Sequence, residues 1–200
     1  MNIVFRADAS IHIGSGHVMR CLVLAKSLRN NGHNVCFVMR KTAGNMIEFT
    51  NRQGFDVFVL PMPITVIEPQ SNDDYAAWLH TSELEDATAM LSGIETADLM
   101  IVDHYGIGID WETKVKHDLK CLVMAIDDIL RKHNVDILLD QTLNRDASLY
   151  DAVRSKILAG TKFALLDPSF NLLRGQALDK EWKSEVPNVL VSMGGVDKQN

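Results

Sequence analysis

Short runs of consecutive apolar residues recur along the chain, each followed by a polar loop and usually by a stretch with helical apolar spacing. Residues 2–6, Val35–Met39 and Val57–Leu60 read as buried strands, and Leu99–Val102, Leu122–Ile126 and Val135–Leu139 continue the series. Between them, His17–Asn30 carries Val18, Met19, Leu22, Val23, Leu24 and Leu28 at nearly every helical angle, which predicts a helix covered on most sides. Gly32 is its expected stop. Gly44–Arg52 predicts a second helix closed by Gly54, and Ser82-Glu83-Leu84-Glu85 is a capping box opening a third, to about Glu95. A fourth is expected to be capped by Asp110 and to run through Lys116. Pro61, Pro63 and Pro69 break regular structure, so the stretch to Asp74 is expected as a long, functionally interesting loop.

Short apolar strands alternating with helices mean a parallel sheet covered on both faces. The expected class is therefore α/β, a doubly wound parallel sheet spanning residues 1–186. After Pro187 the pattern starts afresh: Asn188–Met193 is an apolar strand followed by Gly194, Gly195 and the acidic Asp197. That is how a new βα unit begins, so residues 187–200 are expected to open a second, truncated α/β domain.

Composition narrows the class. At 200 residues, 46% hydrophobic and 23% charged, the chain has ample material for a buried core. A net charge of −6 argues against a nucleic-acid partner, because phosphate backbones are held by clustered Lys and Arg. An anionic small substrate remains compatible, since the local field of a pocket is independent of the sum. No run approaches the ~20 apolar residues of a membrane helix, and Arg6 and Asp8 interrupt the N-terminal run too early for a secretory signal. The 3 cysteines, Cys21, Cys36 and Cys121, each sit in apolar runs with no Cys-x-x-Cys spacing, so neither a disulfide framework nor a zinc site is expected. A reduced, cytoplasmic chain without membrane partner follows as the expectation.

In an open parallel sheet, ligands bind outside the carboxyl ends of the strands, and several polar clusters fall there. Ser10 to His17 joins the first strand to the first helix; Gly14 and Gly16 permit a tight turn and close backbone approach to an oxyanion at the helix N-terminus. A dinucleotide fingerprint would want a small residue at position 19, which is Met19, and the Walker spacing is absent. His17 at the helix start is expected to stay neutral, as suits a general base, although a capping or packing histidine looks the same in sequence. Arg20 serves equally to meet a phosphate or to pair with a surface carboxylate. Asp103-His104 is too sparse for a metal centre, and Tyr105 beside it is either a substrate-positioning hydroxyl or structural. Adjacent Asp127 and Asp128 point apart and are not a natural acid/base pair; one is expected to orient loop backbone. His12, His33, His80, His117 and His133 read as surface or core histidines.

Together these residues resemble a known family. Phe5-Arg6-Ala7-Asp8-Ala9-Ser10 and Ile13-Gly14-Ser15-Gly16-His17-Val18-Met19-Arg20, followed in order by Val102-Asp103-His104-Tyr105-Gly106, Ile126-Asp127-Asp128, Asp136–Gln141 and Val191–Asp197, are similar to the UDP-2,4-diacetamido-2,4,6-trideoxy-beta-L-altropyranose hydrolases (PseG) of pseudaminic acid biosynthesis. The resemblance implies a Rossmann-like N-terminal half of a glycosyltransferase-B-like fold, with the active site between two domains. It implies His17 as catalytic base and a substrate-binding set of Gly14, Ser15, Gly16, Asp103, Tyr105, Gly194 and Gly195, with no metal and no cofactor. The implied partners are a UDP-sugar and water. Release of UDP, a stable anion, needs little leaving-group protonation, so one base activating water suffices and inversion at the anomeric carbon is expected. The alternatives are a glycosyltransferase or sugar-nucleotide epimerase of the same fold, or a non-catalytic sugar-nucleotide-binding fragment. The 200 residues by themselves are expected to turn over little substrate.

Overall fold

The structure, a computed structural model, describes residues 1–71, 73–150 and 155–179. The expected strand at 188–193, Gly194, Gly195 and the boundary at Pro187 lie outside the described residues. Seven strands form one parallel sheet: β1 (Asn2–Ala7), β2 (Asn34–Arg40), β3 (Asp56–Leu60), β4 (Leu99–Asp103), β5 (Leu122–Ile126), β6 (Ile137–Asp140) and β7 (Lys156–Ala159), in the spatial order β3-β2-β1-β4-β5-β6-β7. The chain winds one way from β1 to β3, then returns and winds the other way from β4. The order reverses between β1 and β4, which is where a doubly wound sheet opens its ligand crevice. Register there pairs Ile3 with Leu99 and Ala7 with Asp103.

Alternation along β1 divides the core in two. Ile3, Phe5 and Ala7 face α1 (Gly16–Asn30), packing with Val18, Leu22 and Ala25, and α2 (Ile47–Arg52) adds Ile47 and Phe49 at the margin. Val4 faces the opposite layer with Val38, Met100 and Val102, under α3 (Glu83–Leu91) and α4 (Ile109–Leu119), whose Trp111 and Val115 are fully buried. A sheet buried on both faces explains why its strands read as continuous apolar runs rather than alternating ones. The expected fold class is the one observed.

Some boundaries differ from the sequence reading, each for a local reason. α2 starts at Ile47 because Gly44 is left-handed (φ +79°) and lies so close to Ile11 that a Cβ there would sit 3.0 Å from its backbone nitrogen. The capping box of α3 forms as expected, but the helix stops at Leu91, short of Glu95. α4 is capped at Gly108, not Asp110: Glu83 of α3 accepts from the backbone N–H of Gly108 and of Trp111, both at 3.0 Å, and so does from a neighbouring helix what a cap side chain does locally. β7 and α5 (Pro168–Leu178) were not expected. The α5 signal was available, since Asp167 accepts from Ser169 N–H and Pro168 takes the first turn.

Charge is buried beside the core as well. Arg6, fully buried on β1, donates to Asp86 of α3 at 2.8 and 3.1 Å; Arg40 and the Trp111 indole donate to the same carboxylate at 2.6 and 2.9 Å. Asp8 pairs with Arg6 at 2.8 Å and accepts from the Arg40 backbone at 2.6 Å. Arg40 also donates to the Pro61 carbonyl at 2.5 Å, which pins the root of the long loop. That loop closes where Ile67 N–H meets the His80 carbonyl, 3.0 Å away, and then presents a 3-10 turn, Ala76–Leu79, to the crevice.

Candidate active site

The crevice at the carboxyl ends of β1 and β4 gathers residues from four segments. After β1 the chain makes a compact turn in which the Ser10 hydroxyl accepts from the N–H groups of His12 and Ile13, at 3.1 and 3.0 Å. Gly14, left-handed at φ +76°, donates back to the Ser10 carbonyl at 2.8 Å. Side chains rarely adopt that φ, so glycine is the natural choice. Ser15 then stands at the helix N-cap without using its side chain, and Gly16 and His17 are the first residues of α1.

His17 is 7% exposed, and its Nδ1 lies 2.6 Å from Oδ1 of Asp103. Asp103 is fully buried. Burial works to raise its carboxyl, but the facing His17 and the fork of Arg20 outweigh that and hold it well below the usual carboxylate range. An ionised Asp103 can only accept, so it holds the proton on Nδ1 and leaves the Nε2 lone pair as the basic position. No described residue hydrogen-bonds to Nε2.

Arg20, one turn further along α1, donates to Asp103 through Nε and Nη2, both at 2.6 Å, and through Nη1 to Asp128 at 2.8 Å. The other Asp128 oxygen accepts the Tyr105 hydroxyl. The Tyr105 ring meets the His17 ring edge-on, with centroids 4.6 Å apart. Trp78, carried by the 3-10 turn, stacks on Tyr105 at 5.7 Å, and Tyr75 packs against both. Burial and the bond to Asp128 push the Tyr105 phenol up, so it stays a donor.

Each strand-end carboxylate is matched by an arginine. Asp127 accepts from Arg131 through Nε and backbone N–H at 2.8 and 2.9 Å, and Asp140 pairs with Arg145. The acidic total of the chain is therefore not displayed at this edge, and an anionic ligand would not face bare carboxylates here.

Of the residues singled out in sequence, His17, Asp103 and Tyr105 meet in one cluster above the turn of Gly14, Ser15 and Gly16. Asp103, expected among substrate-facing groups, lies behind His17 with its oxygens occupied. Asp127 orients loop backbone as anticipated, whereas Asp128 joins the cluster. His104 turns away: fully buried, it accepts from Gly106 N–H at 3.0 Å, faces Asp8, and burial pushes it down to about 3. Trp78, Tyr75 and the double engagement of Arg20 went unread in the sequence. Gly194 and Gly195 lie outside the described residues. Among the described residues no group of His, Cys, Asp and Glu is arranged to hold a metal ion, and no helix is long and apolar enough to cross a membrane.

No family model matches the chain. It is 26% identical over 203 residues to the UDP-2,4-diacetamido-2,4,6-trideoxy-beta-L-altropyranose hydrolase of Campylobacter jejuni, covering 100% of this chain and 62% of that protein. The resemblance seen in the motifs thus extends over the whole chain. An uncharacterized protein of Methanocaldococcus jannaschii, MJ1062, is 23% identical over 206 residues, covering 100% of the chain and 38% of its own length. The chain thus spans about three-fifths of the hydrolase, 62%, and less of the second relative. Among solved structures, MurG of Acinetobacter baumannii superposes with a TM-score of 0.51 at 12% identity, over 79% of this chain and 44% of that one. This likeness is one of fold, that of the Rossmann-like half of a glycosyltransferase-B-like protein.

Proposed function

We propose that the chain carries the catalytic base of a UDP-sugar hydrolase, with UDP-2,4-diacetamido-2,4,6-trideoxy-beta-L-altropyranose as substrate, in pseudaminic acid biosynthesis. The observation that carries this reading is the His17–Asp103 pair, 2.6 Å apart at the switch point of the sheet, with Nε2 left basic. Similarity to the Campylobacter hydrolase supports the choice of substrate.

In the reaction, His17 Nε2 takes a proton from water while the water oxygen bonds to the anomeric carbon. The bond from that carbon to the diphosphate oxygen breaks, and UDP departs with the electron pair. Asp103 stabilises the imidazolium that forms, as a buried carboxylate does for other histidine bases. The diphosphate is a good leaving group without protonation, so a second carboxylic acid is not required. Attack opposite the leaving group inverts the anomeric configuration. On this reading Gly14, its own N–H spent on the Ser10 carbonyl, shapes the turn that brings the backbone N–H groups of Ser15 and Gly16 to the substrate, and Tyr105 lines the sugar. Gly194 and Gly195 begin a second domain, from residue 187, that contacts the nucleotide.

The test is a proton NMR time course of the complete protein with that sugar nucleotide. Release of UDP with free sugar of inverted anomeric configuration supports the proposal, and loss of turnover in His17→Asn assigns the base. A sugar nucleotide that persists until an acceptor is added overturns hydrolysis in favour of glycosyl transfer. A product altered at carbon two indicates an epimerase.

A further inference from the structure

The contacts around His17 close on themselves. His17 bonds to Asp103, Asp103 accepts two bonds from Arg20, Arg20 donates to Asp128, Asp128 accepts from Tyr105, and the Tyr105 ring packs against His17. We infer that Arg20 is a positioning residue that, through Asp128, latches Tyr105 against His17, and that it does not bind the diphosphate. The inference rests on the reading of His17 as base.

Three features carry it. Every nitrogen of the Arg20 guanidinium is engaged by a carboxylate, and its side chain is only 13% exposed. A planar fork satisfied on both sides is fixed in direction, and its charge is already matched, which makes it a poor phosphate ligand. Second, His17 and Arg20 are three residues apart on α1 and share a helical face, so one rigid element delivers the base and the clamp together. Third, Tyr105 is confined from its remaining sides: Trp78 stacks on it at 5.7 Å, and the Arg131 guanidinium lies 5.5 Å from its centroid. Asp128 is the member of the ring that answers to both Arg20 and Tyr105. Without the latch the base keeps its chemistry but loses a wall that fixes where water and sugar meet.

The experiment compares Arg20→Lys, Arg20→Met and Asp128→Asn with His17→Asn in the complete protein, using the altropyranose sugar nucleotide and separating kcat from KM. Positioning predicts that both Arg20 variants lose about tenfold to a hundredfold in kcat, with KM within about threefold, because misplacement near a reacting centre costs that much. Lys keeps the charge but cannot fork. Asp128→Asn, at a partly exposed site, is expected to fold and to show a loss of about tenfold. A large rise in KM for Arg20→Met with near-parental values for Arg20→Lys would make Arg20 a phosphate ligand and overturn the latch. Parental kcat in Arg20→Met and Asp128→Asn, with His17→Asn inactive, overturns the latch and leaves the base in place. If His17→Asn itself turns over normally, the base reading fails, and the latch is decided by the NOE between the His17 and Tyr105 rings. Its loss in Asp128→Asn supports the latch, and its persistence refutes it.

Discussion

His17 of α1 and Asp103 of β4 are 86 residues apart in sequence and 2.6 Å apart in space, Nδ1 to Oδ1. The pairing follows from register: Ala7 at the end of β1 lies opposite Asp103, so the turn that leaves β1 delivers the start of α1 directly over that carboxylate. A single hydrogen bond then selects the tautomer of the base.

Asp103→Asn tests that selection. An amide can donate to Nδ1, which places the proton on Nε2 and removes the base. The expected result is a loss of about a thousandfold in kcat with little change in KM. Steady-state kinetics, with 15N NMR of His17 to report the tautomer, checks it; parental kcat would show that the carboxylate does not orient the base.

Gly44→Ala tests the support under the turn. At φ +79°, with Ile11 nitrogen 3.0 Å from the position of an added Cβ, alanine must shift the Ser10–Gly16 segment. The expected destabilisation is about 1–3 kcal/mol, accompanied by lower kcat because His17 follows that segment. Denaturant unfolding and kinetics measure the two effects separately.

His133 gives the fold a pH dependence away from the site. Its side chain is 3% exposed, with Nδ1 2.6 Å from Glu112 of α4 and Nε2 3.7 Å from Asp127 at the end of β5. Burial opposes its charge, but the facing Asp127 carboxylate and the bond to Glu112 outweigh burial and the nearby Arg131, and raise its pKa. A raised histidine contributes stability that is complete below its unfolded pKa, ~6.5, and is lost as pH rises through the folded value. His133→Gln should therefore lower Tm more at pH ~5.5 than at pH ~8.5. An equal loss at both pH values would refute the charged pairing.

Much of this architecture was legible because its signals are local. Ile3–Phe5, Val35–Met39 and Leu122–Ile126 are apolar throughout since the sheet is covered on both faces, and Ser82 and Glu85 cap α3 within one turn. Glu83 capping α4 was not legible, because the carboxylate that answers the Gly108 N–H comes from another helix, 25 residues earlier. The four residues of β7 carry too short a pattern to separate from loop. At the site, His17 and Tyr105 could be placed by their positions at a helix start and a strand end. Arg20 could not be resolved between phosphate and carboxylate, since its partner Asp128 is 108 residues away.

The sequence by itself determined that this chain builds a doubly wound parallel sheet and gathers its polar chemistry at strand ends, because periodicity, turns and caps act over a few residues. Which carboxylate meets which cation was decided by tertiary structure alone. Strand order and register bring the ends of β1, β4 and β5 side by side, and hydrogen bonding over less than 3 Å converts that proximity into the ring around His17.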